Sequence, residues 1–364
     1  MNGRGRFASR AAMVCVASAL QLTCSLARAQ SSVTLYGNLD VGLLYTSKTY
    51  SASTRKAGPD QFSMVNGGMT PSIFGITGYE DLGGGTKAIF KLESGVNLAN
   101  GGFQDSNGGL FGREAWVGLA NQYGQVRAGL QESPFFKVME DSDVLSFGLF
   151  GGPQVNYSDN AFATGTFVAN AVTYMSPNLA WFKGSAMLAL GGVAGNFQAG
   201  RQYSASLEYN TGSFMINAGF FDGNGLTNGL SLTNTSLEPF LGRTLGIGFY
   251  LGGLTAKGSF TSYKVAQFVN YDVYNGGLLY AVTPALYVNG EVTVTSDRNH
   301  TQNHSVMGEL GTEYYLSKRT SIYGEFGVVN NRGLIYTGLQ VNNALYAPAN
   351  GTTLGAEIGM RHTF

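Results

Sequence analysis

Along residues 33–45 apolar and polar positions alternate by twos: Val33, Leu35, Leu39, Val41, Leu43 and Tyr45 fall on one face, and Thr34, Asn38 and Asp40 on the other. A helix would repeat its apolar positions every three or four residues, and the β-branched residues and glycines of this segment disfavour it. The pattern predicts a strand with one apolar and one polar face, as suits a wall between lipid and water.

Similar segments recur to the end of the chain, separated in turn by short and long connections. The short ones fall at about 81–86, 121–125, 176–180, 210–213, 252–254, 283–285 and 317–320, each built from Gly, Asn, Ser or Pro, the residues of tight turns. Between them lie long polar connections near 47–65, 99–109, 133–167, 191–202, 223–240, 265–270, 297–303 and 330–351. Seven short turns and eight long loops imply sixteen strands. A soluble sandwich has no reason to keep all its long loops at one end, whereas an even-stranded barrel with short periplasmic turns and long external loops does. The fold expected is all-β, a 16-stranded antiparallel transmembrane β-barrel, and a barrel of about that size leaves an aqueous channel.

Composition supports this class. Charged residues make up only 12%, while 53 glycines, 23 phenylalanines and 20 tyrosines are many for 364 residues. Past the first thirty residues no run of 18 apolar residues occurs, and without helices only a closed barrel can satisfy every backbone hydrogen bond in lipid.

Those first residues read as an export signal for the general secretory pathway. Arg4, Arg6 and Arg10 precede an apolar stretch that ends at Ala27-Arg28-Ala29, so cleavage after Ala29 would give a signal of 1–29 and a single barrel domain of 30–364. Both cysteines, Cys15 and Cys24, lie in the signal, which leaves the barrel no disulfide or thiolate. Removing the signal, with its four basic and no acidic residues, takes the formal charge from 0 to −4. That sign, and the absence of any basic run, argue against a nucleic-acid partner.

The last strand alternates through Ala356, Ile358, Met360 and His362 and ends in Phe364, a pattern that looks like the insertion signal read by the outer-membrane barrel-assembly machinery. Catalytic chemistry is hard to assemble: His300 and His304 belong to a polar segment running into a strand, His362 has apolar parity, and none has an obvious Ser and acidic partner. No enzyme, cofactor or metal is expected.

Several stretches, in order, carry a resemblance to the trimeric general-diffusion porins of β-proteobacteria. They include Ser32-Val33-Thr34-Leu35-Tyr36-Gly37, Tyr79-Glu80-Asp81-Leu82-Gly83-Gly84-Gly85-Thr86 and Phe111-Gly112-Arg113-Glu114-Ala115-Trp116-Val117-Gly118-Leu119. Further matches are Leu316-Ser317-Lys318-Arg319-Thr320 and Gly359-Met360-Arg361-His362-Thr363-Phe364. The resemblance implies a homotrimer in outer-membrane lipid and lipopolysaccharide that passes ions and small hydrophilic solutes. It also implies a third external loop, here 133–167, folded into the barrel. That loop carries Glu140, Asp141 and Asp143, expected to line the constriction. Relatives commonly place basic residues where this chain has Ile73, Thr77, Leu130 and Phe167, which leaves Arg113 as the matched basic wall position. Arg127 lies an odd number of residues from Leu130 and is assigned to the other face. Lys91 and Glu93 share the lumen-facing parity and are expected on the pore wall. Acid on the loop with little base opposite predicts a cation preference. The alternatives are a substrate-specific channel, or a non-transporting adhesin or structural barrel.

Overall fold

The structure, a computed structural model, describes residues 31–54, 56–105, 108–161, 165–225, 238–266 and 268–364. The expected signal, 1–29, lies outside the described residues. Sixteen strands run in sequence around the wall: β1 (Ser32–Thr46), β2 (Ile73–Gly83), β3 (Thr86–Gly95), β4 (Glu114–Asn121), β5 (Gly124–Glu132), β6 (Phe167–Met175), β7 (Phe182–Ala189) and β8 (Gln202–Asn210). They continue as β9 (Phe214–Gly223), β10 (Phe240–Leu251), β11 (Leu254–Val265), β12 (Val269–Ala281), β13 (Leu286–Asp297), β14 (His304–Tyr315), β15 (Thr320–Arg332) and β16 (Gly351–Thr363). Each pairs antiparallel with its neighbours, and β16 returns to β1 with Asn38 opposite Thr363 and Thr46 opposite Gly355. The ring is therefore closed and has no free edge.

Alternation carries through the wall. On β10, Leu245, Ile247 and Phe249 face outward while Gly242, Thr244, Gly246 and Gly248 face inward. At the short-turn end, cross-strand aromatic pairs on the outer face form part of a girdle: Phe182 with Tyr209 (4.9 Å) and Phe214 with Phe249 (5.3 Å). The turn from β2 to β3 needs its glycines, since Gly83, Gly84 and Gly85 stand at φ +83°, +61° and +76°.

One segment expected in a loop is instead sheet. Residues Gln61–Asn66 pair with the upper half of β1, and β2 pairs with its lower half. Phe62 and Met64 point outward, which gives this stretch the alternation of a barrel strand. Between the two pairings the chain turns inward at Gly67–Ser72, and buried Asp40 holds the detour. Its carboxylate accepts from the amides of Gly68 (3.2 Å) and Thr70 (2.9 Å), the Thr70 hydroxyl (3.2 Å) and the Tyr323 hydroxyl (2.7 Å). Asp40→Ala would strand these donors, at ~1–3 kcal/mol for each one left buried and unpaired. The expected result is a midpoint at least several degrees lower in a heat-induced gel-mobility assay of the folded barrel. An unchanged midpoint would mean that the detour is held by other contacts.

The third long loop folds into the lumen as two helices, α1 (Pro134–Asp141) and α2 (Pro153–Ala161). Ser133 caps α1, accepting from the Phe136 amide (3.1 Å), and Pro134 opens it. Phe135 packs between Phe221 and Phe240, and a Cβ on Gly242 would lie 2.6 Å from its ring. The eighth loop also enters, with the hairpin of Thr337–Gln340 and Ala344–Tyr346 beneath the third. The Gly151 amide donates to the Leu339 carbonyl (2.8 Å), and the Val341 amide to that of Leu149 (3.0 Å). The third loop is thus clamped between barrel wall and eighth loop.

Candidate functional site

Inside the wall, α1 faces the inward side chains of β2 to β5. Period-two geometry brings Lys91 and Glu93 of β3, Arg113 and Glu114 beside β4, and Arg127 of β5 into one network. Glu93 is nearly fully buried, and its carboxylate accepts from Arg113 Nε (2.8 Å) and the Tyr36 hydroxyl (2.7 Å) and pairs with Lys91 (3.0 Å). Lys91 also donates to Glu114 (2.5 Å), which accepts from Trp116 Nε1 (2.5 Å). Arg127 stacks on Trp116 at 4.2 Å, and Arg113 on Phe167 at 4.6 Å. Each cation is held by a ring or carboxylate, so the wall's charges are fixed in place.

Across the lumen the three loop acids separate. Asp141 lines a cavity of about 860 Å³ together with Lys91, Arg127, Lys137 and Lys257. Burial raises the Asp141 carboxyl above the usual carboxylate range, and Lys137 counters this. Glu140 lines a second cavity of about 440 Å³ with Arg113, Phe136, Tyr157 and Phe167. It pairs with Lys137, which also approaches Glu132 at 3.7 Å. Burial works against the charge on Lys137, but Glu132 and Glu140 outweigh it and hold the ammonium above the ordinary lysine range. Asp143 is fully buried and accepts from the amides of Leu145 (3.2 Å) and Phe147 (2.7 Å). It shapes the loop, and only its backbone carbonyl meets a lumen cation, Lys257 (2.9 Å).

The basic side, expected to be sparse, is well supplied. Arg127 shares the inward face of β5 with Gln125 and Gln131, and Leu130 has the outward parity of Val126 and Ala128, so Leu130 does not occupy a pore position. The larger cavity is lined by Lys91, Arg127, Lys137, Lys183 and Lys257 against Glu114, Glu132, Asp141 and Glu208. Sequence reasoning missed Lys183 and Lys257, although their alternation within β7 and β11 was available. These positions correct the expectation of a cation-attracting constriction: the loop acids do not converge on the pore, and base is not missing opposite them.

Phe364 closes the ring. Its amide donates to the Gly37 carbonyl and its carbonyl accepts from the Gly37 amide, both at 3.1 Å, and its ring lies over Gly37. Among the described residues no group of His, Cys, Asp and Glu is arranged to hold a metal. His300 instead lies 3.5 Å from Asp297.

Comparison with known proteins agrees with this architecture. Residues 12–334 match the family described as Gram-negative porin. Outer membrane porin protein 32 of Delftia acidovorans is 26% identical over 364 residues, 96% of this chain and 99% of that protein. Major outer membrane protein P.IB of Neisseria gonorrhoeae is 32% identical over 208 residues, 56% of each chain. Among solved structures, the anion-selective porin from Comamonas acidovorans has a TM-score of 0.77 at 24% identity, covering 92% of this chain and 100% of that one. OmpT of Vibrio cholerae, described in a trimer form, has a TM-score of 0.66 at 16% identity, covering 92% and 99%. A closed sixteen-stranded wall with a charged lumen, and a family match over most of its length, make this chain a member of the Gram-negative porin family, a channel protein of the outer membrane.

Proposed function

We propose that the chain is a general-diffusion porin through which ions and small hydrophilic solutes pass passively. The observation that carries this reading is the cavity of about 860 Å³ within the wall, lined by five basic and four acidic side chains. Such a lining hydrates solutes of either sign. Arg113, Lys91 and Glu93 act as the fixed wall, and Asp141 is the acid that the third loop contributes to the passage. The near balance of charge gives cations no advantage, and the likeness to the anion-selective porin from Comamonas acidovorans supports a slight bias toward anions.

In this reading the mature chain begins at Gln30, exposes its long loops outside, and forms a homotrimer in contact with lipid and lipopolysaccharide. The trimer form described for the Vibrio cholerae relative supports the assembly. Phe364 serves the assembly machinery as the end of the last strand. A substrate-specific channel is the second reading, favoured by the aromatic lining of the second cavity, Phe103, Phe136, Phe147, Tyr157 and Phe167.

Single-channel recording tests the main proposal. The expected result is a large conductance, nearly linear in voltage and insensitive to millimolar sugars or aromatic acids. Block by one such solute would favour the specific channel, and no conductance would defeat both. Light scattering in mild detergent should give the mass of three chains, and a monomer would refute the trimer.

A further inference from the structure

At the long-loop end of the lumen, α2 carries Asp159 into a group of tyrosines. The helix is fixed on two sides. Val155 is fully buried with Leu339 and Ala347 of the eighth loop, and Asn156 Oδ1 accepts from the hydroxyls of Thr295 (2.6 Å) and Thr337 (3.3 Å). On the wall side the Tyr263 hydroxyl donates to the Asn156 carbonyl (3.1 Å), and Asn160 Nδ2 donates to the Tyr263 oxygen (3.3 Å). Asp159 follows Val155 by one turn and Asn156 by three residues, so it shares their side of the helix and points between eighth loop and wall.

Rings line that gap. Tyr336 and Tyr346 of the eighth loop meet edge to face at 5.4 Å, and Tyr50 of the first loop stacks on Tyr336 at 5.3 Å. Tyr271, on the inward row of β12, lies 6.2 Å from Tyr263. Tyr336 and Tyr346 are each 40% exposed, so their faces open to the mouth of the lumen. Tyr263, Tyr271 and Tyr346 all stand within electrostatic reach of the Asp159 carboxylate. Among the described residues Asp159 has no hydrogen bond and no ion pair. Burial pushes its carboxyl up to about 8, and no cation or donor counters it.

We infer that Asp159 and the tyrosines around it form a site for a small organic ammonium ion at the mouth of the barrel. The carboxylate is the charge such an ion would neutralise, and the phenol oxygens accept from its N–H groups. The ring faces take its alkyl body and, by cation–π attraction, part of its charge. An anion would meet an unscreened carboxylate, and a neutral solute would leave it unscreened. A bare metal ion is not served either, because one carboxylate among phenols falls short of the ~6–8 oxygens that calcium takes. None of these groups lines the larger cavity, so the site gathers such ions at the entrance and does not set conduction. It adds a binding function to the diffusion reading without depending on which solutes pass.

The experiment is saturation-transfer NMR of the mature protein in detergent at about pH 9, where the Asp159 carboxyl is ionised. Irradiation at aromatic-ring protons, which the detergent lacks, is combined with butylammonium, butan-1-ol or butyrate as probe. The parent should transfer saturation to butylammonium, with a Kd in the millimolar range, and little to the alcohol or the acid. That comparison needs no variant. Asp159→Asn should weaken binding roughly tenfold, as expected for one lost charge-assisted contact, and Tyr346→Leu roughly threefold. The Asn variant removes no bond of the fold, so its heat-induced gel mobility should match the parent's. A lower midpoint would show that the carboxylate has a structural partner and overturn the site. Equal transfer to butan-1-ol would reduce the site to apolar adhesion, and equal affinity of Asp159→Asn would remove the carboxylate from it; either result overturns the inference. Binding lost in Asp141→Asn instead would place the ion in the passage and overturn it as well. The readout needs no conduction, so its failure is distinct from failure of the single-channel test.

Discussion

Leucine in place of Gly242 is expected to narrow the pore. A Cβ at this position already lies 2.6 Å from the Phe135 ring, and that ring is wedged between Phe221 and Phe240. The wall cannot yield, because β10 is hydrogen-bonded on both sides within a closed ring. The extra atoms must therefore push α1 away from the wall, toward Lys91 and Arg127 on the far side of the passage. Overpacking of this kind costs about 1–3 kcal/mol, too little to unfold a barrel but enough to move a loop helix. The expected reading is a single-channel conductance well below the parent's, with Gly242→Ala intermediate. Adding Phe135→Ala opens space for the leucine and should restore conductance toward the parent value. If Gly242→Leu conducted as the parent does, α1 would not border the narrow part of the pore.

The second large effect concerns ion preference. Lys91→Gln with Arg127→Gln removes the two wall bases nearest Glu114 and leaves Arg113 as the base paired with Glu93. The parent's zero-current potential in a KCl gradient is expected near zero or slightly to the anion side, and the double variant should move clearly to the cation side. The shift should be larger at 0.1 M than at 1 M salt, since the Debye length falls from about 10 Å to about 3 Å. Asp141→Asn should move the potential in the opposite direction, whereas Asp143→Asn should disturb loop stability more than selectivity because that carboxylate is bonded to the amides of Leu145 and Phe147. A double variant indistinguishable from the parent would place the selecting charges elsewhere.

Much of the wall was legible because its signals are local. The alternation of β1 and the glycines at 83–85 depend on neighbours within a few residues, and the strand count followed from turn chemistry. Arg127 shows the limit. Period two separates the faces of β5 but does not name the wet one, and Leu130 was placed on it although its parity is that of outward Val126 and Ala128. The loop acids failed for another reason. Glu140 and Asp141 are adjacent on a helix, about 100° apart, and Asp143 lies beyond its cap, so three charges close in sequence point three ways. The Ser133-Pro134 start and the spacing of Phe135, Val138 and Met139 are local helix signals, but the reading of the segment as a long loop passed over them. The inward hairpin of the eighth loop was illegible too, because its contacts, Gln340 to Gly67 and Leu339 to Gly151, join residues far apart in the chain.

The pairing of Phe364 with Gly37 also dictates when the protein can become complete. Every other seam joins strands adjacent in sequence, but this one joins the first strand to the last. Until that strand arrives β1 is an unpaired edge, the kind of surface that recruits other chains. A chain cut short by even one strand would therefore expose a β-edge and be sticky.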